Sequence, residues 1–434
     1  MPVWHAKTKA LVESGELAVV GIVHEQHPDR AALYAQWQQF DFPLLWDPFG
    51  VTGLEVVPVV SAIDASGVVR LGRLDPRKFD SQFIPEFMEA SFPATTPARP
   101  AGFVVSELVK AGSAREQAMA RVLLEGVQEK PFGPENQAGL GALMDAPSTP
   151  YEQFCAGVAH RLRYDSAAAQ PDDFQSALTL WSEALHARPG QYIWRRRIQQ
   201  WGPRLDKPYP FYDWVGKATL EVWARDDSPV QLRAMLSGSE VAGKTKRLPG
   251  SRSGKAADGA SPEPVEPDPR GELPRDVGEI VGLELAVAQH TASAGGSMRS
   301  PVGSSRVHVT LRPKAGAKWP LDADPPMVWL GLPDGWNAAS SSYRFPMPVE
   351  GQETAPLLAD FEISTQPIPL GPPDESAAMP ASVLPAYAVY SVCLEDGTCV
   401  FRRQDFQIKV TFPAMPDMGP PPEADGDGDG NGKD

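Results

Sequence analysis

The sequence predicts a multidomain chain in three parts: an α/β segment, an α-helical middle and an all-β antiparallel sandwich. Three observations support this order. Residues 1 to about 95 alternate helix-period and strand-period stretches. Residues 104 to about 236 carry helix-period patterns alone, and residues 277–412 are short apolar runs broken by proline and glycine turns. The length of 434 residues allows two to four domains, and 46 prolines and 38 glycines, concentrated in the second half, argue for linkers and turn-rich β-structure.

In the first part, "HAKTKALVESG" reads as a helix over 5–15 and "LAVVGIV" as a buried strand over 17–23. "HPDRAALYAQWQQFD" follows as a helix starting near Pro28 and Asp29, with Asp29 as its N-cap. "FPLLWD" is a short strand and "PFGVTGLEVV" a short helix or turn. "PVVSAIDASGVVRLGRL" reads as two strands joined by the turn Asp64-Ala65-Ser66-Gly67. The order is α-β-α-β-(α)-β-β, ending in a hairpin.

The middle part offers five helical stretches, from "AREQAMARVLLEG" to "FYDWVGKATLEVWAR". Residues 237–276 lack apolar surface to bury and read as a flexible linker. Strands are expected at "GLELAVA", "RVHVTLRP", "MVWLGLP", "DFEIS", "AYAVYSVC" and "FQIKVTF". Residues 413–434 read as a disordered acidic tail.

A net charge of −15 gives little support to a nucleic-acid partner. Three cysteines, Cys155, Cys393 and Cys399, exclude a disulfide scaffold. No run of 18 apolar residues is present, so no membrane-spanning helix is expected, and the first residues do not read as an export signal. No cofactor is expected. "HEQHP" places His24 and His27 near Glu25, but no third ligand is close, so these are read as solvated loop residues and no metal site is expected. Asp425, Asp427 and Asp429 with Gly430 resemble the first half of a calcium loop without its closing glutamate, and are read as a solvated tail.

"HAKTKALVESGELAVVGI", "FPLLWDPFGVTGLEVVPVVSAID" and "DASGVVR" together resemble the thioredoxin fold, and more narrowly the redoxin domains of AhpC/TSA or TlpA-like type. The resemblance implies a cis proline at Pro58 facing a redox site, and a Cys-x-x-Cys pair at the start of the first helix. A helix N-terminus stabilises a thiolate there. The matching positions are Met1 and Trp4, and neither forms a thiolate. Trp4 and Pro58 are therefore expected to face a substrate, while this unit lacks dithiol chemistry and the family's central strand. Its first helix should pack on a sheet with an unfilled position; either residues encoded upstream of Met1 complete it, or the unit is a degenerate thioredoxin fold that binds but does not react. "FQSALTLWSEALHARP" resembles the second helix of a tetratricopeptide repeat, giving one TPR-like hairpin. In "YIWRRRIQQWGPRLDKPYPFYDW" aromatics interleave with arginines. The aromatics are expected to pack beneath that hairpin and the arginines to pair with acids, and Cys155 is expected to be a buried free thiol.

"AYAVYSVCLEDGTCVFRRQDFQIKV" reads as two strands around the hairpin turn Asp396-Gly397, with Cys393 and Cys399 across from each other and five residues between them. A disulfide is reachable if both side chains share a face. With "RVHVTLRPKAGAKWPLDADPPMVWLGLPDGW" upstream, residues 277–412 resemble the immunoglobulin-like N-terminal domain of the DsbD family of bacterial thiol–disulfide interchange proteins. That resemblance implies electron transfer through Cys393 and Cys399, a protein thiol or disulfide partner, and a bacterial envelope location. The residues themselves leave two functions open: a redox relay, or a non-catalytic scaffold whose hairpin disulfide is structural.

Overall fold

The computed structural model describes residues 2–93, 112–125, 134–166, 168–202, 214–225, 227–232, 265–289, 304–365 and 383–410. They carry helices and several antiparallel sheets, a mixed α/β architecture of more than one domain. Met1, the tail from 411 onward and its Asp425–Gly430 motif lie outside the described residues.

The first part begins with α1 (Pro2–Glu13), β1 (Gly21–Val23), α2 (Asp29–Gln38) and β2 (Leu44–Trp46). β1 and β2 pair in parallel, Gly21 opposite Leu44. β3 (Ala62–Ile63) and β4 (Val69–Leu71) form a separate antiparallel hairpin. Asp64 closes its turn, its carboxylate accepting from the Ser66 and Val68 backbone N–H groups and from Arg70. Large apolar side chains stay exposed on all four strands: Ile22, Leu45, Ile63 and Val69. The expected strand over 17–23 is shorter, because only Gly21–Val23 finds a pairing partner.

Two local expectations need correction. Pro28, not Asp29, is the N-cap of α2, and Asp29 sits in the first turn with its carboxylate on the Arg30 N–H. A helical segment also follows β4: Asp75 caps a short 3₁₀ turn, and a π-helix runs from Phe79 to Met88. The four-residue spacing of Phe79, Phe83 and Phe87 was its signal. These rings stack in series over a small core with Ala62, Leu74 and Trp4.

The middle part comprises α3 (Ala114–Glu125), α4 (Pro134–Met144), α5 (Pro150–Tyr164), α6 (Asp173–Ala187), α7 (Tyr192–Gln199) and α8 (Trp214–Trp223). A Thr149–Glu152 capping box starts α5. α5 and α6 pack through Gly157, where an added Cβ would lie 2.5 Å from the Trp181 indole. Trp181 fills that space and donates its N–H to the Phe154 carbonyl. Trp194 and Trp201 join this core as expected, whereas Trp214 stacks on Trp37 of α2.

The third part is two antiparallel sheets around one core. The first sheet runs β5 (Val281–Gln289), β6 (Ser305–Pro313), β11 (Leu357–Thr365) and β9 (Trp336–Ala338). The second runs β10 (Ser342–Arg344), β8 (Met327–Leu330), β12 (Val383–Leu394) and β13 (Cys399–Lys409), with β7 (Ala317–Lys318) also paired to β12. Val307, Val309, Phe361 and Ile363 of the first sheet meet Val328, Ala388, Tyr390 and Val392 of the second.

The linker expected over 237–276 ends earlier than its composition suggests. Residues 265–276 form a strap on the second sheet: Arg275 bridges in parallel to Arg403, Asp268 accepts from Arg403, and Glu266 accepts from the Tyr387 hydroxyl. Its charged residues, not apolar surface, are the groups that bind it. Residues 233–264 lie outside the described residues.

The parts share buried contacts. "HEQH" is not a solvated loop: Gln26 and His27 are buried, Gln26 donates to the Val158 carbonyl, and His27 meets Asp165 at 2.7 Å. Asp165 also takes two bonds from Arg161. Arg197 bonds Gln26 and the carbonyls of His24 and Pro48. On the other side the helices cover the outer face of the first sheet. Gln175 accepts from the Val287 N–H on edge strand β5, and His308 donates to the Trp201 carbonyl.

Candidate redox site

The hairpin between β12 and β13 is built by "LEDGT". The Gly397 N–H donates to the Leu394 carbonyl at 3.0 Å, and the Leu394 N–H donates to the Thr398 carbonyl at 2.9 Å. Gly397 has φ +82°, a conformation glycine adopts without a side-chain clash. The Asp396 carboxylate accepts from the Thr398 N–H at 2.8 Å, and that bond holds its carboxyl below the usual range.

This turn fixes the cysteines. Leu394 and Thr398 form the hydrogen-bonded pair nearest the loop, so Cys393 and Cys399 oppose each other in the next, non-hydrogen-bonded position, where side chains approach most closely. Their Cα atoms are 3.9 Å apart and a disulfide joins them. Val392 and Val400 pack on the core, so by strand alternation the cysteines face outward. The two residues differ in exposure: Cys393 is 6 % exposed, while Cys399 is exposed.

Two further features share the outer face. Lys318 stands directly across from Cys393 in the β7–β12 register. Toward the other end lies a cleft of about 590 Å³, lined by Trp329, Pro385, Tyr387, Arg403 and Gln407, with strap residue Glu266 on its rim. Arg403 lies 3.6 Å over the Tyr387 ring and bonds Asp268 and Asp405. Burial and the Glu266 carboxylate together raise the Tyr387 pKa. Neither Lys318 nor the strap was legible in the sequence, because their placement depends on pairing between segments remote along the chain.

The remaining expected residues lie elsewhere. Trp4 meets Phe79 and Phe83 edge-on, with ring centroids 5.9 Å apart in each pair, and is half-buried. Pro58 follows a cis Val57–Pro58 bond and is exposed. Cys155 is a free thiol, 1 % exposed, and burial pushes its pKa up to about 12. His24 contacts Asp47 at 3.4 Å and His27 contacts Asp165, so the two histidines have separate partners. Among the described residues no group of three His, Cys, Asp or Glu side chains is arranged to hold a metal, and no helix is long and apolar enough to cross a membrane. No protein-family model matches the chain, and comparison with curated proteins found no match.

Proposed function

We propose that this chain carries out thiol–disulfide exchange with a protein partner through Cys393 and Cys399. The observation that carries the reading is a cross-strand disulfide at a hairpin end that joins an exposed cysteine, Cys399, to a buried one, Cys393. An incoming thiolate reaches Cys399 Sγ and forms a mixed disulfide there. The Cys393–Cys399 bond breaks and its electron pair leaves on Cys393 Sγ. A second thiol of the partner then attacks its own mixed-disulfide sulfur and releases Cys399 as thiolate. The chain ends as a dithiol and the partner as a disulfide.

The sandwich is read as an immunoglobulin-like domain of DsbD type, and the first part as a thioredoxin-like unit of redoxin type. That unit has Trp4 in place of a resolving cysteine, so its role is docking around Pro58 and not exchange. The helical hairpin of α5 and α6 is read as one TPR-like unit. On this reading the chain belongs to a bacterial envelope redox relay. A second reading, a scaffold with a structural disulfide, is favoured by the buried polar bonds of Arg197, Asp165 and His308 that tie the three parts together.

Incubating the native chain with glutathione, quenching with acid and mapping the adduct by peptide mass spectrometry tests the exchange reading. Glutathione is expected on Cys399, with Cys393 free. Absence of any adduct under conditions that leave the chain folded favours the scaffold.

A further inference from the structure

We infer that Lys318 is a positioning residue for this exchange: it stabilises the Cys393 thiolate as that sulfur leaves. The inference rests on the exchange reading and adds a role to a residue far from both cysteines in sequence.

Cys399, Cys393 and Lys318 form a single row across β13, β12 and β7, because Cys393 pairs with Cys399 on one side and with Lys318 on the other. Residues directly opposite in neighbouring antiparallel strands point to the same face, with Cβ atoms about 4.5–5.5 Å apart. Ala317 and Trp319 are buried in the core on either side of Lys318, and Lys318 itself is exposed on the outer face. Its side chain therefore leaves the sheet on the same face as the disulfide, beside Cys393 and on the strand away from Cys399.

The position matters for the chemistry. When a thiolate attacks Cys399, negative charge develops on Cys393, the more buried of the two cysteines. A buried thiolate without a cation leaves slowly, and a nearby lysine lowers the pKa of such a thiol. Carboxylates oppose the effect. Glu395 and Asp396 occupy the turn, with the Glu395 side chain against Gly316, and Glu353 lies within electrostatic reach of Lys318. Lys318 is the charge in register with the leaving sulfur and of the sign that assists it.

The test uses the full chain with Lys318→Met and Lys318→Arg. Two quantities are read: the rate of disulfide reduction by dithiothreitol, and the equilibrium constant with dithiothreitol at pH 9, where thiols ionise and lysine remains charged. The rate alone would also report attraction of an anionic reductant, which cannot move the equilibrium. Lys318→Met is expected to slow reduction about threefold and to shift the equilibrium about threefold toward the disulfide, about 14 mV on the two-electron scale. Lys318→Arg should stay near wild type, and the differences should shrink in about 1 M salt, where exposed charges are screened. An unchanged equilibrium in Lys318→Met overturns the inference while leaving exchange intact. A disulfide that no variant releases while folded overturns the exchange reading itself.

Discussion

Gly157 of α5 faces the indole of Trp181, which is fully buried. A methyl group there meets a ring with no room to retreat. Gly157→Ala is therefore expected to destabilise the chain by about 1–3 kcal/mol, the usual cost of overpacking a core. A urea unfolding midpoint unchanged from wild type would contradict this packing. Cys155, two residues earlier on the same helix, is expected to resist alkylation in the folded chain at pH 8, since burial holds its thiol pKa at about 12. It should label only after unfolding, as counted by intact mass. Cys155 and the Cys393–Cys399 pair were legible in the sequence because local pattern decides them: a cysteine inside a helix-period run, and two cysteines flanking Asp396-Gly397. The partner of Trp181 was not, because a glycine in a helix gives no sign of what lies opposite.

Elements show the same division. Strands β5, β6, β8, β11, β12 and β13 were legible because alternation and turn residues are local, and β12 and β13 are also long, whereas the two- and three-residue strands β7, β9 and β10 carry too few residues to show a pattern. The strap was not, because its acids and prolines look like linker until Arg403, Tyr387 and Tyr390 are placed beside them. Asp276 at its end accepts from the backbone N–H groups of Gly278, Glu279, Ile280 and Val281 and from the Tyr390 hydroxyl. Burial opposes its ionisation, but these bonds outweigh it and hold the carboxyl below the usual range. A depressed folded pKa stabilises above the unfolded value of about 3.9, and the stabilisation is lost as pH falls through the folded value. Asp276→Ala is expected to cost about 2–4 kcal/mol at pH 7 by orphaning buried donors. Urea unfolding at pH 7 and pH 3 checks this: the gap between variant and wild type should narrow on acidification.

At the scale of the whole molecule, the three parts were legible as segments but not as neighbours. "HEQH" and "IWRRRIQQW" looked like a loop and a basic-aromatic stretch, and they turn out to be joints. His308 forms another joint, between helices and sandwich. Its Nε2–H donates to the Trp201 carbonyl, its ring packs on Phe174, and burial pushes its pKa down to about 4, with Asp360 partly opposing and Arg306 and Arg161 assisting. An unfolded histidine takes up a proton near pH 6.5 and this folded one does not, so its stabilisation is complete above that value and is lost as pH falls from about 6.5 to about 4. The chain is expected to lose about 2 kcal/mol from this group between pH 7.5 and pH 5. His308→Gln keeps a donor for Trp201 and should flatten the slope in urea unfolding. An identical slope in the variant would remove His308 as its source.

The central claim is that Cys393–Cys399 is an exchangeable bond and not a staple. The most direct measurement is its reduction midpoint in the native full chain, read by thiol labelling and intact mass across dithiothreitol and glutathione buffers. Exchange requires two thiols to appear together, with Cys155 silent, at a potential above about −300 mV, within reach of physiological thiol pools. A midpoint well below about −300 mV, or thiols that appear only when the chain unfolds, would contradict the claim and leave the disulfide as a fixed part of the hairpin.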